Sequence, residues 1–164
     1  MPKGQQAPVS GVDDSRVEMT ELVMPQQINP LGSVFGGWIM ALMDKAAAMA
    51  ATRHCRGPVS TASVDSIDFL APMSLGHIVR LSAFLTQVFH SSMEVVVEVH
   101  SEDPRTSEQV KTCSAYFTMV CLGLNGRPRQ APLLTLRTDA EQRRAEEATQ
   151  RRTLRLERRT KAGA

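Results

Sequence analysis

The sequence predicts an α+β domain in which one long, greasy helix is wrapped by a curved antiparallel sheet. Three observations lead there. Between Gly36 and Arg56 the residues Trp38, Ile39, Leu42, Met43, Ala46, Ala47, Met49 and Ala50 cover every face of a helical wheel, the pattern of a helix surrounded by other structure. From Val59 onward apolar residues recur with period two, the mark of strands. Turns of hairpin length join those stretches, which makes neighbouring strands antiparallel. With 164 residues the chain can bury roughly 70% of its unfolded surface in one core.

Taken in order, residues 1–14 ("MPKGQQAPVSGVDD") carry no apolar run of the kind a signal peptide needs and read as a flexible leader. Ser15–Met24 reads as a first strand stopped by Pro25, and "QQINPLG" as a loop with Pro30 and Gly32 supplying turn chemistry. The helix starts near Gly36–Gly37 and stops at Arg56-Gly57-Pro58. Val59–Leu70, His77–Phe89, Met93–His100 and Val110–Leu122 then form four strands expected to pair in sequence as a meander. Met93, Val95, Val97 and Val99 share one face of their strand, while Glu94 and Glu98 point outward, toward water or a second subunit. A lone greasy helix needs cover all round, and one curved sheet is the economical way to supply it. That arrangement is the hotdog fold, here expected over residues 15–133.

Residues 134–164 form a tail of different character. From Leu136 onward there are nine basic and five acidic residues, leaving ten and twelve for the rest, so a near-neutral body carries a basic tail. Asp139–Arg143 and Glu147–Arg151 have helical i,i+4 spacing, but the apolar stripe is thin, so a solvated helix is expected. Interspersed acids argue against a nucleic-acid-binding role. No stretch of eighteen apolar residues exists to span a membrane. Cys55, Cys113 and Cys121 are odd in number and lack C-x-x-C spacing, which suits reduced thiols in the cytoplasm rather than disulfides or a zinc site. His77, His90 and His100 have no metal-ligand spacing, so no metal is expected, and His54 reads as a cap on the helix dipole.

One acid interrupts the apolar helix. Asp44 cannot pair with Lys45, because adjacent helical side chains diverge. It is either a structural acid satisfied by backbone donors or a group facing a ligand cavity. Gly36 and Gly37 leave the first N–H groups of the helix accessible, a ready site for a developing oxyanion. Met40 and Asp44 are i,i+4 on a face continuous with Gly37. A carbonyl at the helix start and a water near Asp44 would lie several ångströms apart, which calls for another strand or subunit to close the site.

The stretch "NPLGSVFGGWIMALMDKAA" (Asn29–Ala47) closely resembles the signature of acyl-CoA thioesterases of the brain acyl-CoA hydrolase type. The similarity continues through "VSTASVDSIDFLAPMSLGHIV" and "SAYFTMVCLGLNGRPRQAP", so it covers about residues 15–133. The resemblance implies a hotdog fold, commonly dimers assembled as a trimer of dimers with active sites shared across the dimer interface. It implies hydrolysis of fatty acyl-CoA to free CoA and a carboxylic acid, with CoA entering only as part of substrate and product and no metal or organic cofactor. Asn29 and Asp44 match the family's catalytic pair, Thr61 matches an assisting Thr or Ser, and Gly36 and Gly37 match the glycines that face the thioester oxygen. Arg80, Arg127 and Arg129 and the turn His90, Ser91, Ser92 are candidates to meet the CoA phosphates, with Phe35 and Met40 completing the substrate-binding set. The turn "FHSSM" departs from the Gly-Arg-Thr-Ser common there. Two alternatives fit the residues less well. A hotdog hydratase would place a His before the helix, and none lies between Met1 and Arg53. A non-catalytic acyl-CoA or lipid sensor would have no use for Asn29, Asp44 and Thr61 together.

Overall fold

Alternation along three strands decides which side of the sheet receives the helix. The computed structural model describes residues 10–162. In chain order it contains β1 (Ser10–Gly11), α1 (Val12–Ser15), β2 (Val17–Leu22), a 3-10 turn (Pro25–Gln27), α2 (Gly36–Cys55), β3 (Val59–Val64), β4 (Asp68–Phe69), β5 (Ile78–Val88), β6 (Ser92–Asp103), β7 (Glu108–Cys121), β8 (Leu134–Thr135) and α3 (Asp139–Ala162). The main sheet runs β2-β5-β6-β7-β3 with β4 also on β7, all pairs antiparallel, while β1 and β8 pair in parallel apart from it. Val79, Leu81, Ala83 and Leu85 of β5 lie beside Val95, Val97 and Val99 of β6, and these beside Cys113, Ala115 and Phe117 of β7. All are fully or almost fully buried, and all face Ile39, Met43, Ala46, Ala47, Ala50 and Ala51 of α2. The alanines let helix and sheet approach closely, as an interior packed to crystal density requires.

The ends of α2 follow the sequence expectation. Arg56 closes the helix in the left-handed conformation (φ 49°). Arg129 donates to the Cys55 carbonyl at 2.6 Å and to the Leu122 carbonyl at 3.0 Å, so a cation meets the negative end of the helix dipole.

Several expectations need correction. The four strands after the helix do not form a simple meander. β5, β6 and β7 do, but β3 pairs with β7 at the far edge instead of with β5. Turn chemistry at Ala71–Pro72 reads the same for a hairpin and for a crossover. Here residues 70–77 carry the chain past the start of α2, where the Val34 N–H donates to the Met73 carbonyl at 3.0 Å. Val59–Leu70 is likewise not one strand but β3 and β4, with a bulge between Thr61 and Ser63.

Residues 10–14, assigned to the leader, belong to the domain, while 1–9 lie outside the described residues. Val12 is buried against Phe84 and Val96, and Ser15 Oγ accepts the Leu85 N–H at 3.0 Å.

The basic tail is not a free solvated extension. α3 lies on the outer face of the sheet with Ala145 and Ala148 buried. Arg151 reaches Glu94 through two hydrogen bonds, 2.8 and 3.1 Å, and stacks on the Tyr116 ring at 3.7 Å. Glu94, expected to meet water or a second subunit, is 0% exposed and also accepts from Thr86 Oγ1 at 2.7 Å. Arg155 holds Asp65 at 2.9 Å, and Arg144 lies over Phe84. Arginine planes and stems replace the apolar stripe that the periodicity lacks.

Finally, α2 is not enclosed on all sides by the described residues. Met40 is 44% exposed on the face that also carries Gly37, Ala41 and Asp44, and Met49, further round the helix, is 38% exposed.

His54 does more than cap a dipole. It is buried, and its Nε2 must donate to the Pro132 carbonyl (2.8 Å), which leaves Nδ1 to accept from the Ser10 hydroxyl (2.8 Å). The neutral ring thereby ties α2 to β1 and to the segment before β8. Burial pushes its pKa below the usual imidazole range, opposed by the bond to Pro132.

Two outcomes are expected. Arg151→Ala strands a buried carboxylate and should destabilise the fold by about 3 kcal/mol, whereas Arg151→Leu combined with Glu94→Leu should recover most of the loss; thermal unfolding monitored by circular dichroism checks both. Because the unfolded imidazole binds protons more readily than buried His54, stability should fall as pH drops below about 6.5. Urea unfolding of His54→Gln, set beside wild type across that range, should show a shallower pH dependence.

Candidate active site

Asp44 stands midway along α2, on the face turned away from the sheet core, and is exposed rather than sheathed. Thr61, on edge strand β3, donates from Oγ1 to Asp44 Oδ1 at 2.6 Å. That hydroxyl is the carboxylate's one hydrogen-bond partner among the described residues, so the acid is not locked onto main-chain amides. One carboxylate oxygen remains free for water or substrate.

The start of α2 supplies the opposite polarity. Trp38 and Ile39 N–H groups both use the Phe35 carbonyl, whereas Gly36 and Gly37 N–H have no acceptor among the described residues. They sit at the positive end of a twenty-residue helix. A side chain at Gly36 would strike the Phe69 ring, with an added Cβ only 3.1 Å from Cζ. At Gly37 an added Cβ would meet nothing within 4 Å, so the space beside that residue is open. A mostly apolar cleft of about 400 Å³ opens beside Gly36, between Val34 and Ile39 on one side and Phe69 and Met73 on the other.

Asn29 organises the loop before the helix. Its Oδ1 accepts the Leu31 and Ser33 N–H groups at 2.9 and 3.3 Å, and Nδ2 donates to Ser33 Oγ at 3.1 Å. This is an Asx-type turn completed by Gly32 at φ 83°. Within one chain Asn29 bonds to its own loop and not to Asp44. Gly37 and Asp44 are seven residues apart, about 10 Å along a helix axis. One chain therefore joins Asp44 to Thr61 and leaves the glycine amides and Asn29 at a distance.

The remaining candidates are scattered. Phe35 and Met40 flank the helix start, 49% and 44% exposed. Arg80 points from the opposite face of the sheet and pairs with Glu102 at 3.6 Å. Arg129 is engaged by carbonyls at the end of α2, and Arg127 lies exposed in the turn after β7. His90, Ser91 and Ser92 form the β5–β6 turn, their carbonyls taken by Ala131, Cys121 and Phe89 N–H. This turn and Arg129 gather at the C-terminal end of α2, roughly 16 Å beyond Asp44. Sequence reasoning passed over Phe69, since an aromatic in a strand-like run gives no sign that its ring covers a helix terminus.

Comparison with known proteins identifies the family. The profile of the Thioesterase superfamily matches residues 31–108. An uncharacterized acyl-CoA thioester hydrolase of Bacillus subtilis, YkhA, is 38% identical over 128 residues, 78% of this chain and 74% of that one. The acyl-CoA hydrolase of Staphylococcus aureus, solved with butyryl-CoA, CoA and CoA disulfide, superposes with a TM-score of 0.87 at 33% identity over 95% of each chain. An apo hexameric acyl-CoA thioesterase gives 0.88 at 38% identity over 92% of this chain and 97% of that one. Solved variants of the Staphylococcus aureus enzyme replace an asparagine, an aspartate and a threonine by alanine, at the same mutual spacing as Asn29, Asp44 and Thr61. The chain belongs to the thioesterase superfamily, as a hotdog-fold protein of the acyl-CoA thioester hydrolase type.

Proposed function

We propose that the protein hydrolyses fatty acyl-CoA thioesters to CoA and a carboxylic acid, with Asp44 as general base. The observation that carries this is the Thr61–Asp44 hydrogen bond on an open helix face, which fixes the carboxylate and leaves an oxygen free. Water held at Asp44 attacks the thioester carbon and gives its proton to the carboxylate. The carbonyl oxygen becomes an oxyanion, met by the Gly37 amide with Gly36 beside it. Collapse breaks the C–S bond, and the departing thiolate recovers the proton. A thiolate is stable enough to leave without a metal or a strong acid, so CoA enters only as part of the substrate.

The gap of about 10 Å supports a site shared between copies. Asp44 and Thr61 of one copy work with Gly36, Gly37 and Asn29 of a second, around a two-fold axis that covers the open face carrying Met40 and Asp44. Such dimers, assembled as a trimer of dimers, make the proposed hexamer, in keeping with the hexameric neighbour. Free, buried Cys55, Cys113 and Cys121 suit the reducing cytoplasm proposed as its location.

Free thiol released from an acyl-CoA series, read with a chromogenic thiol reagent, tests the reaction. Asp44→Ala should lower kcat by about 10²–10⁴-fold with an unchanged circular dichroism spectrum. Thr61→Val should cost about tenfold, the loss of one hydrogen bond to a charged group. An inactive wild type that still binds CoA would make the protein a sensor instead. For the shared site, Asn29→Ala and Asp44→Ala chains should each be inactive alone. Co-refolded in equal amounts they should regain about a quarter of wild-type activity, because half the dimers carry one intact site.

A further inference from the structure

We propose that Phe69 sets the acyl-chain length the enzyme accepts, by walling the apolar cleft that opens beside Gly36; the inference rests on the thioesterase reading above. A thioester carbonyl seated on the Gly37 amide has two substituents, the pantetheine sulfur and the acyl chain. Pantetheine carries amides that need hydrogen-bond partners, whereas Val34, Ile39, Phe69, Leu70 and Met73 offer an apolar surface suited to an alkyl chain. The cleft of about 400 Å³ has room for an alkyl chain on the order of ten carbons, each taking somewhat less than the about 30 Å³ share of a water.

Phe69 is the wall nearest the reacting end. Its ring rests over Gly36 so closely that a Cβ there would approach Cζ to 3.1 Å. Its backbone is fixed: β4 pairs Phe69 with Cys113, and the Leu70 N–H donates to the Thr112 carbonyl at 2.8 Å. The opposite wall is fixed too, by the Val34–Met73 hydrogen bond. Phe69 remains half exposed. The size of the side chain at 69, rather than backbone movement, therefore governs how much of a chain can pass.

The test is kcat/KM across acetyl- to palmitoyl-CoA for wild type, Phe69→Ala, Phe69→Leu and Phe69→Trp. A buried methylene is worth about fourfold in binding, so room for two more should raise the long-to-short ratio of kcat/KM by about fifteenfold in Phe69→Ala. Phe69→Leu should fall between, Phe69→Trp should shift the preference to shorter chains, and KM should carry most of each change. Should all chain lengths gain or lose in parallel, or the profile stay unchanged, Phe69 does not select length and this inference is overturned. A wild type inactive on the whole series overturns the hydrolase reading as well, whereas an active one with a profile indifferent to residue 69 overturns this inference alone.

Discussion

The packing of four small side chains against a sheet determines where the chemistry can lie. Ala46, Ala47, Ala50 and Ala51 are fully buried against β5, β6 and β7, so they fix the rotation of α2 about its axis. At 3.6 residues per turn, that rotation turns Gly37, Met40, Ala41 and Asp44 outward together. The position of the acid is thus a by-product of the core. A larger residue on the alanine face would shift the helix and carry the carboxylate with it.

On the reverse of the sheet a different physics operates. Glu94 is as buried as any core residue, and its charge is tolerated because Arg151 and Thr86 satisfy it from two elements. Arg16 and Arg144 lie over Phe84, Arg152 over Phe89 and Arg151 over Tyr116. The outer layer is therefore held by cations on aromatic rings as much as by apolar contact. It gives α3 a defined seat without a conventional amphipathic stripe.

The sequence made some of this legible and hid the rest for reasons that differ by element. The limits of α2 could be read because Gly36 and the Arg56-Gly57-Pro58 stop are local signals. β6 could be read because Val95, Val97 and Val99 alternate cleanly. The partner of β3 could not, since strand order depends on which way a proline-bearing connection runs. The docking of α3 was hidden because arginine counts as polar in any periodicity, although its stem and plane pack well. Asp44 was expected to be sheathed because Met and Ala look the same on a wheel whether they meet a core or another surface. Of the residues that family resemblance singled out, Thr61 and Asp44 meet in one chain. Asn29 does not join them: as a turn former before Pro30, its side chain is taken up by its own loop.

The bulge in β3 has a consequence of its own. Opposed residues in an antiparallel pair share a face, so Val59 and Thr61, opposite Cys121 and Met119, face the helix, as does Val64 opposite Phe117. Odd positions face inward before Ala62 and even positions after it: the strand contains a phase slip. Asp65, whose N–H meets the Tyr116 carbonyl, is thereby delivered to Arg155 on the far side. Excising Ala62 would leave Thr61 and Ser63 as consecutive partners of Met119 and Thr118, a regular ladder in which both halves keep their present faces. Straightening the pairing with Ala62 in place would instead invert one half, turning either the threonine hydroxyl from its carboxylate or the aspartate from its arginine. The bulge absorbs the extra residue, so one edge strand still serves both surfaces of the sheet.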